Sequence, residues 1–309
     1  MTAEPPSAAH LLAERRHLQA IGLAVLAFAC FTVLDTSAKF LGQAGIPLLM
    51  IIWARYAGHV AFSLVSLREL SLRTVWQSKR PRLQLLRAAF LFASTCCNFA
   101  ALQFLQLAET ASINFSIPLL VAALAVPVLG EHIGFRRWSA IVVGFLGVLI
   151  IVRPTPELFQ PAALLSLTSA TAAAGYVLTT RIVAQADHHE TSNAYAALVG
   201  TALTTPLVAF VWVTPSGIQW LPLLLLGSFG GLGHYMLTAA HRHAPAPILA
   251  PFWYTQIVWM VGAGFLLFGD VPDALTLTGG TIVLASGLYV WWREMVKRRP
   301  ASRGTVPPV

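Results

Sequence analysis

The sequence predicts an all-α integral membrane protein: ten transmembrane helices arranged as two inverted five-helix repeats. Three observations carry this reading. Of the 309 residues, 57% are hydrophobic and only 10% are charged, with a mean hydropathy of +0.71. A soluble domain carries about 25% charged residues. Apolar stretches of bilayer-crossing length recur ten times, and the chain matches itself weakly at an offset of 139 residues.

A bilayer-crossing helix needs about 20 mostly apolar residues. The stretches that meet this lie at 19–41, 47–67, 84–105, 109–129, 136–152, 161–182, 193–213, 219–240, 246–268 and 272–292. Their separators are short and carry turn chemistry, as at Gly45-Ile46-Pro47, Arg153-Pro154, Thr214-Pro215-Ser216-Gly217 and Gly269-Asp270-Val271-Pro272. The first stretch is too long for the apolar region of a signal peptide and is followed at once by another, so it reads as a retained helix. No segment between spans is long enough to fold as a soluble domain.

The basic residues set the orientation. With the N-terminus inside, seventeen of the 20 Lys and Arg fall at the inner face, Arg153 alone falls at the outer face, and Lys39 and Arg55 lie well within spans. That asymmetry follows the positive-inside rule. It predicts a multi-pass protein of the cell (inner) membrane with both termini cytoplasmic. Residues 1–18 form an N-terminal tail, 19–153 a first repeat, 154–292 a second, and 293–309 a basic C-terminal tail. The run Lys297-Arg298-Arg299 follows a span, so headgroup anchoring explains it better than nucleic-acid binding.

The self-match places Ala100-Ala101 on Ala239-Ala240, Phe115-Ser116 on Tyr254-Thr255 and Gly130-Glu131 on Gly269-Asp270. One extra residue then brings Gly147 onto Gly287. Each half holds five spans, and an odd number turns the second half upside down. Inverted repeats are an architecture of alternating-access transporters, with the substrate near the midplane between the halves.

Asp35, Lys39 and Arg55 are the fixed charges expected well inside spans, where such groups are costly. They read as an intramembrane charge pair or as a coupling group. Asp35 and Lys39 are four apart and share a helix face. At 1.5 Å per residue Asp35 sits about 7 Å outside the midplane, and Arg55 falls near that level. An Asp35–Arg55 structural pair is the favoured reading, with Lys39 snorkelling to the outer surface. Asp35 is also the only carboxylate deep enough to take up a proton in coupled transport, since Glu109, Glu131, Asp270 and Asp273 fall at span ends. His59 and His234 are further intramembrane polar groups, and Gly227, Gly230, Gly231 and Gly233 read as close helix packing.

The stretch from Leu107 to Pro154 holds Ile117-Pro118-Leu119, Gly130-Glu131, Trp138, Gly144, Gly147 and Arg153-Pro154. It resembles the EamA-type domain of the drug/metabolite transporter superfamily. The second half, with Ala244-Pro245-Ala246-Pro247, Tyr254, Phe268-Gly269-Asp270 and Gly279-Gly280, resembles a second copy. Two positions depart from the pattern: Asp270 stands where the family usually has Glu, and Ile257 stands on helix 9 where helix 4 has Pro118. Pro251 still interrupts helix 9.

The resemblance implies a secondary carrier that moves a small organic metabolite by alternating access. Its superfamily includes exporters of amino acids and purines and importers of vitamins such as riboflavin. It also implies a central cavity built by helices 4 and 9 with helices 1, 3, 6 and 8. On those helices this sequence offers Asn98, Asn114, Phe115, Ser116, Tyr176, His234, Trp253, Tyr254 and Gln256 as substrate contacts. Amides and hydroxyls with aromatic walls suit a planar, aromatic or heterocyclic solute.

The expected partners are that metabolite and the lipid bilayer, with no cofactor, no metal and no nucleic acid. Three cysteines, two of them adjacent, offer neither a disulfide framework nor zinc-ligand spacing. No phosphate-binding loop, His-Glu-x-x-His or nucleophile elbow occurs, so no enzyme activity is expected. A membrane-bound enzyme would need a cluster of catalytic groups at one interface. A channel should show a charged or carbonyl-rich filter, and a scaffold needs no polar cluster at the midplane.

Overall fold

The computed structural model describes residues 8–62, 64, 78–130, 134–153, 160–244 and 249–298. Its ten spans are α1 (Ala8–Gln43), α2 (Leu48–Phe62), α3 (Pro81–Leu102), α4 (Leu107–Leu129), α5 (Phe135–Val152), α6 (Pro161–Val183), α7 (His189–Val208), α8 (Trp220–His243), α9 (Pro251–Phe268) and α10 (Ala274–Arg298). All except α2 are long and apolar enough to cross a bilayer. The 15 residues of α2 are apolar too, and most of its expected continuation toward residue 67 lies outside the described residues. Helix α1 starts at Ala8, ahead of its apolar stretch, and α10 runs on to Arg298. Both outermost spans therefore extend into the expected tails as continuous helix.

Two spans are broken where the self-match aligns them. Helix α4 consists of Leu107–Asn114 and Ile117–Leu129, with a turn at Phe115-Ser116. Pro118 explains the break: it has no N–H to donate, and its ring clashes with the carbonyl four residues back, at Asn114. In α9 a 3₁₀ segment, Ala250–Thr255, carries Pro251 in its first turn and passes into α-helix at Gln256. A π-turn at Gly264–Phe268 completes that span. The aligned pairs Phe115-Ser116 and Tyr254-Thr255 thus mark irregular backbone in both halves.

The packing obeys the same two-fold relation. Helix α1 lies along α8, and α3 lies along α6; exchanging the halves turns one pair into the other. Helix α2 packs on α7 and α5 on α10, each span meeting its own counterpart. This is the geometry expected of inverted repeats.

Without a hydrophobic drive between helices in lipid, close approach depends on small residues. A Cβ added to Gly227 of α8 would stand 2.3 Å from the Gly58 Cα of α2. A Cβ at Gly279 of α10 would stand 2.6 Å from the Gly147 carbonyl oxygen of α5. The other expected packing glycines meet side chains: Gly230 meets Leu34, Gly231 meets Phe62, and Gly233 meets Phe31.

At one end of the bundle, Asp187 in the α6–α7 turn ties down the entry to α3. It accepts hydrogen bonds from Ser78 Oγ (2.5 Å), the Lys79 amide (2.7 Å) and Gln84 Nε2 (2.9 Å). Burial alone would raise its carboxyl pKa; the donors at Ser78, Gln84, Lys79 and Arg80 outweigh this and hold it below the usual carboxylate range. The tie is therefore at full strength above about pH 4 and is lost as pH falls through the lowered folded value.

Gly227→Leu is expected to lower folded yield and thermal stability sharply, since overpacking costs about 1–3 kcal/mol even between side chains and here meets backbone. Gly22→Leu, at an open position, should leave both unchanged. Equal unfolding temperatures for the two variants would refute backbone contact between α2 and α8.

Candidate functional site

Between the two halves lies a cavity of about 720 Å³. Its walls come from α1, α2, α3, α4, α6, α7, α8 and α9, while α5 and α10 supply no lining residue among those described. The expected helices are all present, and α2 and α7 join them. At one end the cavity reaches the α6–α7 turn at Ala184, Asp187 and His188. At the other it stops at Asp35, Asn98 and Asn114. Beyond Asp35 the bundle is closed by Ala38, Leu41, Leu102 and Leu107, all buried completely.

The closed end depends on geometry along α1. Lys39 sits about 6 Å past Asp35 at 1.5 Å per residue. Its Nζ stands 2.6 Å from Asp270 Oδ2, donates to the Leu105 carbonyl at 3.1 Å, and lies 4.8 Å from the centre of the Phe268 ring. Lys39 thus neither snorkels to the surface nor pairs with Asp35, as the sequence suggested. Asp270 is not a free carboxylate at a span end: the αL turn at Gly269 brings it back over α1. Arg153 makes a second ion pair at this end, to Asp273, which also accepts from the Thr276 amide.

The expected Asp35–Arg55 ion pair is not formed. Asp35, 6% exposed, accepts a hydrogen bond from Asn98 Nδ2 at 3.0 Å. Asn98 Oδ1 in turn accepts from Asn114 Nδ2 at 3.3 Å, which links α1, α3 and α4 in one polar chain. The Asn114 oxygen is buried without a hydrogen-bond partner. Arg55, also 6% exposed, lies with its Cζ 4.7 Å from the Tyr56 ring centre. Both side chains line the cavity from adjacent helices. They share one cavity wall without touching, so the pair predicted from depth alone does not form.

Of the nine expected substrate contacts, the cavity gathers Asn98, Asn114, Phe115, Tyr176, His234, Trp253, Tyr254 and Gln256. Ser116 is the exception: it is fully buried, its Oγ has no partner, and it is not on the wall. The turn in α4 explains this, because Asn114 and Phe115 face the cavity while the next residue rotates into the packing. The aromatic wall is built in pairs. Phe115 meets Tyr254 edge-on at 5.0 Å, Trp253 leans on Phe28 at 5.5 Å, and His234 stands 5.1 Å from Phe31 and stacks on His59 at 6.0 Å. The Tyr254 hydroxyl lies over Gly287 of α10, where an added Cβ would come within 1.8 Å of it.

Arg87 lies near the inner end of the third expected span, where the sequence reads it as one more basic residue of the inner face. It is buried in the cavity wall. Its Nε donates to Thr180 Oγ1 (2.7 Å) and its two terminal nitrogens to the Ser192 carbonyl (2.8 Å) and the Tyr176 hydroxyl (2.6 Å). This clamp joins α3, α6 and α7. Ser94 and Ser169, also on the wall, face each other at 3.1 Å across α3 and α6. The spacing of small and hydroxyl residues carries no signal that could have distinguished these from packing. Among the described residues no group of three or more His, Cys, Asp or Glu is placed to hold a metal.

Comparison with known proteins gives this architecture a name. The chain matches the EamA-like transporter family twice, over residues 18–153 and 160–292. It is 29% identical over 218 residues to an S-adenosylmethionine uptake transporter of Rickettsia felis, covering 71% of this chain and 74% of that protein. It is 30% identical over 266 residues to the pseudopaline exporter CntI of Pseudomonas aeruginosa, covering 85% and 93%. A riboflavin transporter of Vibrio cholerae is 26% identical over 272 residues, covering 87% and 91%. One solved crystal structure shares the fold with a TM-score of 0.61 at 16% identity, covering 92% of this chain and 98% of that one. Two family matches, the inverted packing and the cavity between the halves lead to one conclusion: the protein is a multi-pass membrane transporter of the EamA-like family, of the kind that moves small metabolites.

Proposed function

We propose that the protein works by alternating access in the cell membrane, with both termini cytoplasmic, and carries a planar aromatic or heterocyclic metabolite. One observation carries this reading: a dead-ended cavity between inverted repeats, walled by aromatic rings and amides and closed at one end by Lys39–Asp270. A volume of about 720 Å³ falls within the roughly 300–1,000 Å³ of small-molecule sites. The basic asymmetry of the loops puts the α6–α7 turn on the cytoplasmic side, so the cavity faces the cytoplasm and the Lys39–Asp270 end faces out. Among the relatives, S-adenosylmethionine and riboflavin are both named as transported solutes, and both molecules contain a fused heteroaromatic ring.

Transport then requires the outer end to open, so the Lys39–Asp270 contact breaks once per cycle. A buried ion pair whose partner is removed costs about 3–5 kcal/mol. Asp270→Asn should therefore depress folded yield by stranding Lys39, and adding Lys39→Met should restore it. Restored protein should pass solute with a weakened outer seal, seen as leak from loaded liposomes. If the double variant is no better folded than Asp270→Asn alone, the pair is not what holds that end closed.

The function itself is tested by counterflow in liposomes, after a binding screen of amino acids, nucleobases and flavins on the purified protein. Asn114→Leu and Tyr254→Leu should each slow counterflow about tenfold or more, the equivalent of roughly 1.4 kcal/mol, while folded yield stays near that of the parent. Equal losses in yield and transport would show that these residues only pack.

A further inference from the structure

Among the described residues, four side chains with a fixed charge are buried in the spans lining or closing the cavity, and their partners differ in kind. Lys39 has a counter-charge in Asp270 and a carbonyl in Leu105. Arg87 has three neutral acceptors, one for each guanidinium nitrogen. Asp35 has a single amide donor, Asn98. Arg55 has no hydrogen bond and no ion pair within 4.0 Å among the described residues; its guanidinium lies against the Tyr56 ring and meets the Asp35 carboxylate only at longer range. No guanidinium nitrogen of Arg55 comes within 4.0 Å of the Asp35 carboxylate. Leaving a charge buried and unpaired is costly. The two least satisfied charges are opposite in sign, lie on adjacent helices, and face the same cavity.

We infer that Arg55 and Asp35 are the two charge anchors of a zwitterionic solute: Arg55 takes its carboxylate and Asp35 its ammonium group. This rests on the reading of the cavity as the transport site. A guanidinium presents a planar fork that matches a carboxylate bidentately. An ammonium offers three donors, and the Asp35 carboxylate on the cavity wall is the acceptor for it. The aromatic pairs Phe115–Tyr254 and Phe28–Trp253 then hold the solute's ring. A solute with both charges compensates both anchors, whereas a neutral one leaves each buried group unanswered. The inference therefore separates the solutes of the relatives: S-adenosylmethionine carries an α-amino acid zwitterion and riboflavin does not.

The experiment compares binding to the purified full chain of S-adenosylmethionine, riboflavin and a matched indole series. L-Tryptophan has both charges, tryptamine the ammonium alone, and indole-3-propionate the carboxylate alone. Expected is binding of one or both zwitterions, with riboflavin and the single-charge indoles weaker by roughly tenfold or more, as loss of a charge-assisted hydrogen bond implies. Arg55→Gln should reduce a bound zwitterion to the level of its ammonium-only analogue and leave tryptamine unchanged. Asp35→Asn should do the converse, leaving indole-3-propionate unchanged. Arg55→Lys, which keeps the charge and loses the fork, should fall between.

Thermal unfolding distinguishes a structural role, since removing an unpaired buried charge should not destabilise the fold. A lower unfolding temperature for Arg55→Gln with zwitterion binding intact overturns the inference. So does riboflavin or tryptamine binding as tightly as the zwitterions. If none of the five compounds binds, the planar-solute reading of the cavity falls and the inference falls with it.

Discussion

A charge inside a bilayer must be answered, by a counter-charge, by hydrogen bonds, or by water and whatever the water gives way to. That constraint organises this protein. Lys39 is answered by Asp270, which draws the α9–α10 turn onto α1 and closes one end. Arg87 is answered by Thr180, Ser192 and Tyr176, which fastens α3 to α6 and α7 beside the cavity. Asp35 is answered by Asn98, itself linked to Asn114, so that α1, α3 and α4 meet at the cavity floor. Arg55 has the Tyr56 ring beside it but no hydrogen bond or ion pair among the described residues. The space in front of it is the cavity.

The cavity exists because the backbone allows it. Glycine contacts at Gly58–Gly227 and Gly147–Gly279 bring helix pairs together on the periphery. Pro118 breaks α4 in its middle, and the 3₁₀ segment begun at Pro251 opens α9, where regular helices would otherwise pack more closely. Tight edges and a loosened centre leave room between the halves. The inverted relation of those halves also gives each span a counterpart of opposite direction, so a contact that closes one end has an architectural equivalent at the other.

Much of this was legible in the sequence, for physical reasons. Ten apolar stretches separated by Gly and Pro turns fix the spans, because a bilayer sets their length. The aligned Phe115-Ser116 and Tyr254-Thr255 fall at irregular backbone near Pro118 and Pro251, whereas Pro127 and Pro206 sit inside helices that continue past them. Asn98, Asn114 and Tyr254 stood out as polar groups in lipid-length helices, and the structure brings them to one cavity. What failed was pairing. Depth along a helix suggested Asp35 with Arg55, yet depth gives no azimuth, and two groups at one level can face a common space instead of each other. Lys39 and Asp270 are 231 residues apart, and nothing local foretells that Gly269 turns the carboxylate inward. Ser116 shared the pattern of its neighbours, and only the turn in α4 rotates it away. Arg87 was lost at a boundary, where a basic residue near a span's inner end reads as part of the charged inner face.

The central claim is that the space between the repeats opens to one side at a time and holds the solute. Ala173 lies on its wall, and a cysteine there, in a chain whose Cys30, Cys96 and Cys97 are replaced, reports access from each side. The measurement is the rate of reaction with a membrane-impermeant thiol reagent in inside-out and right-side-out vesicles. The account predicts fast reaction from the cytoplasmic side, little from outside, and protection by a transported solute. Reaction from outside in the absence of solute, or a rate indifferent to solute, would contradict it.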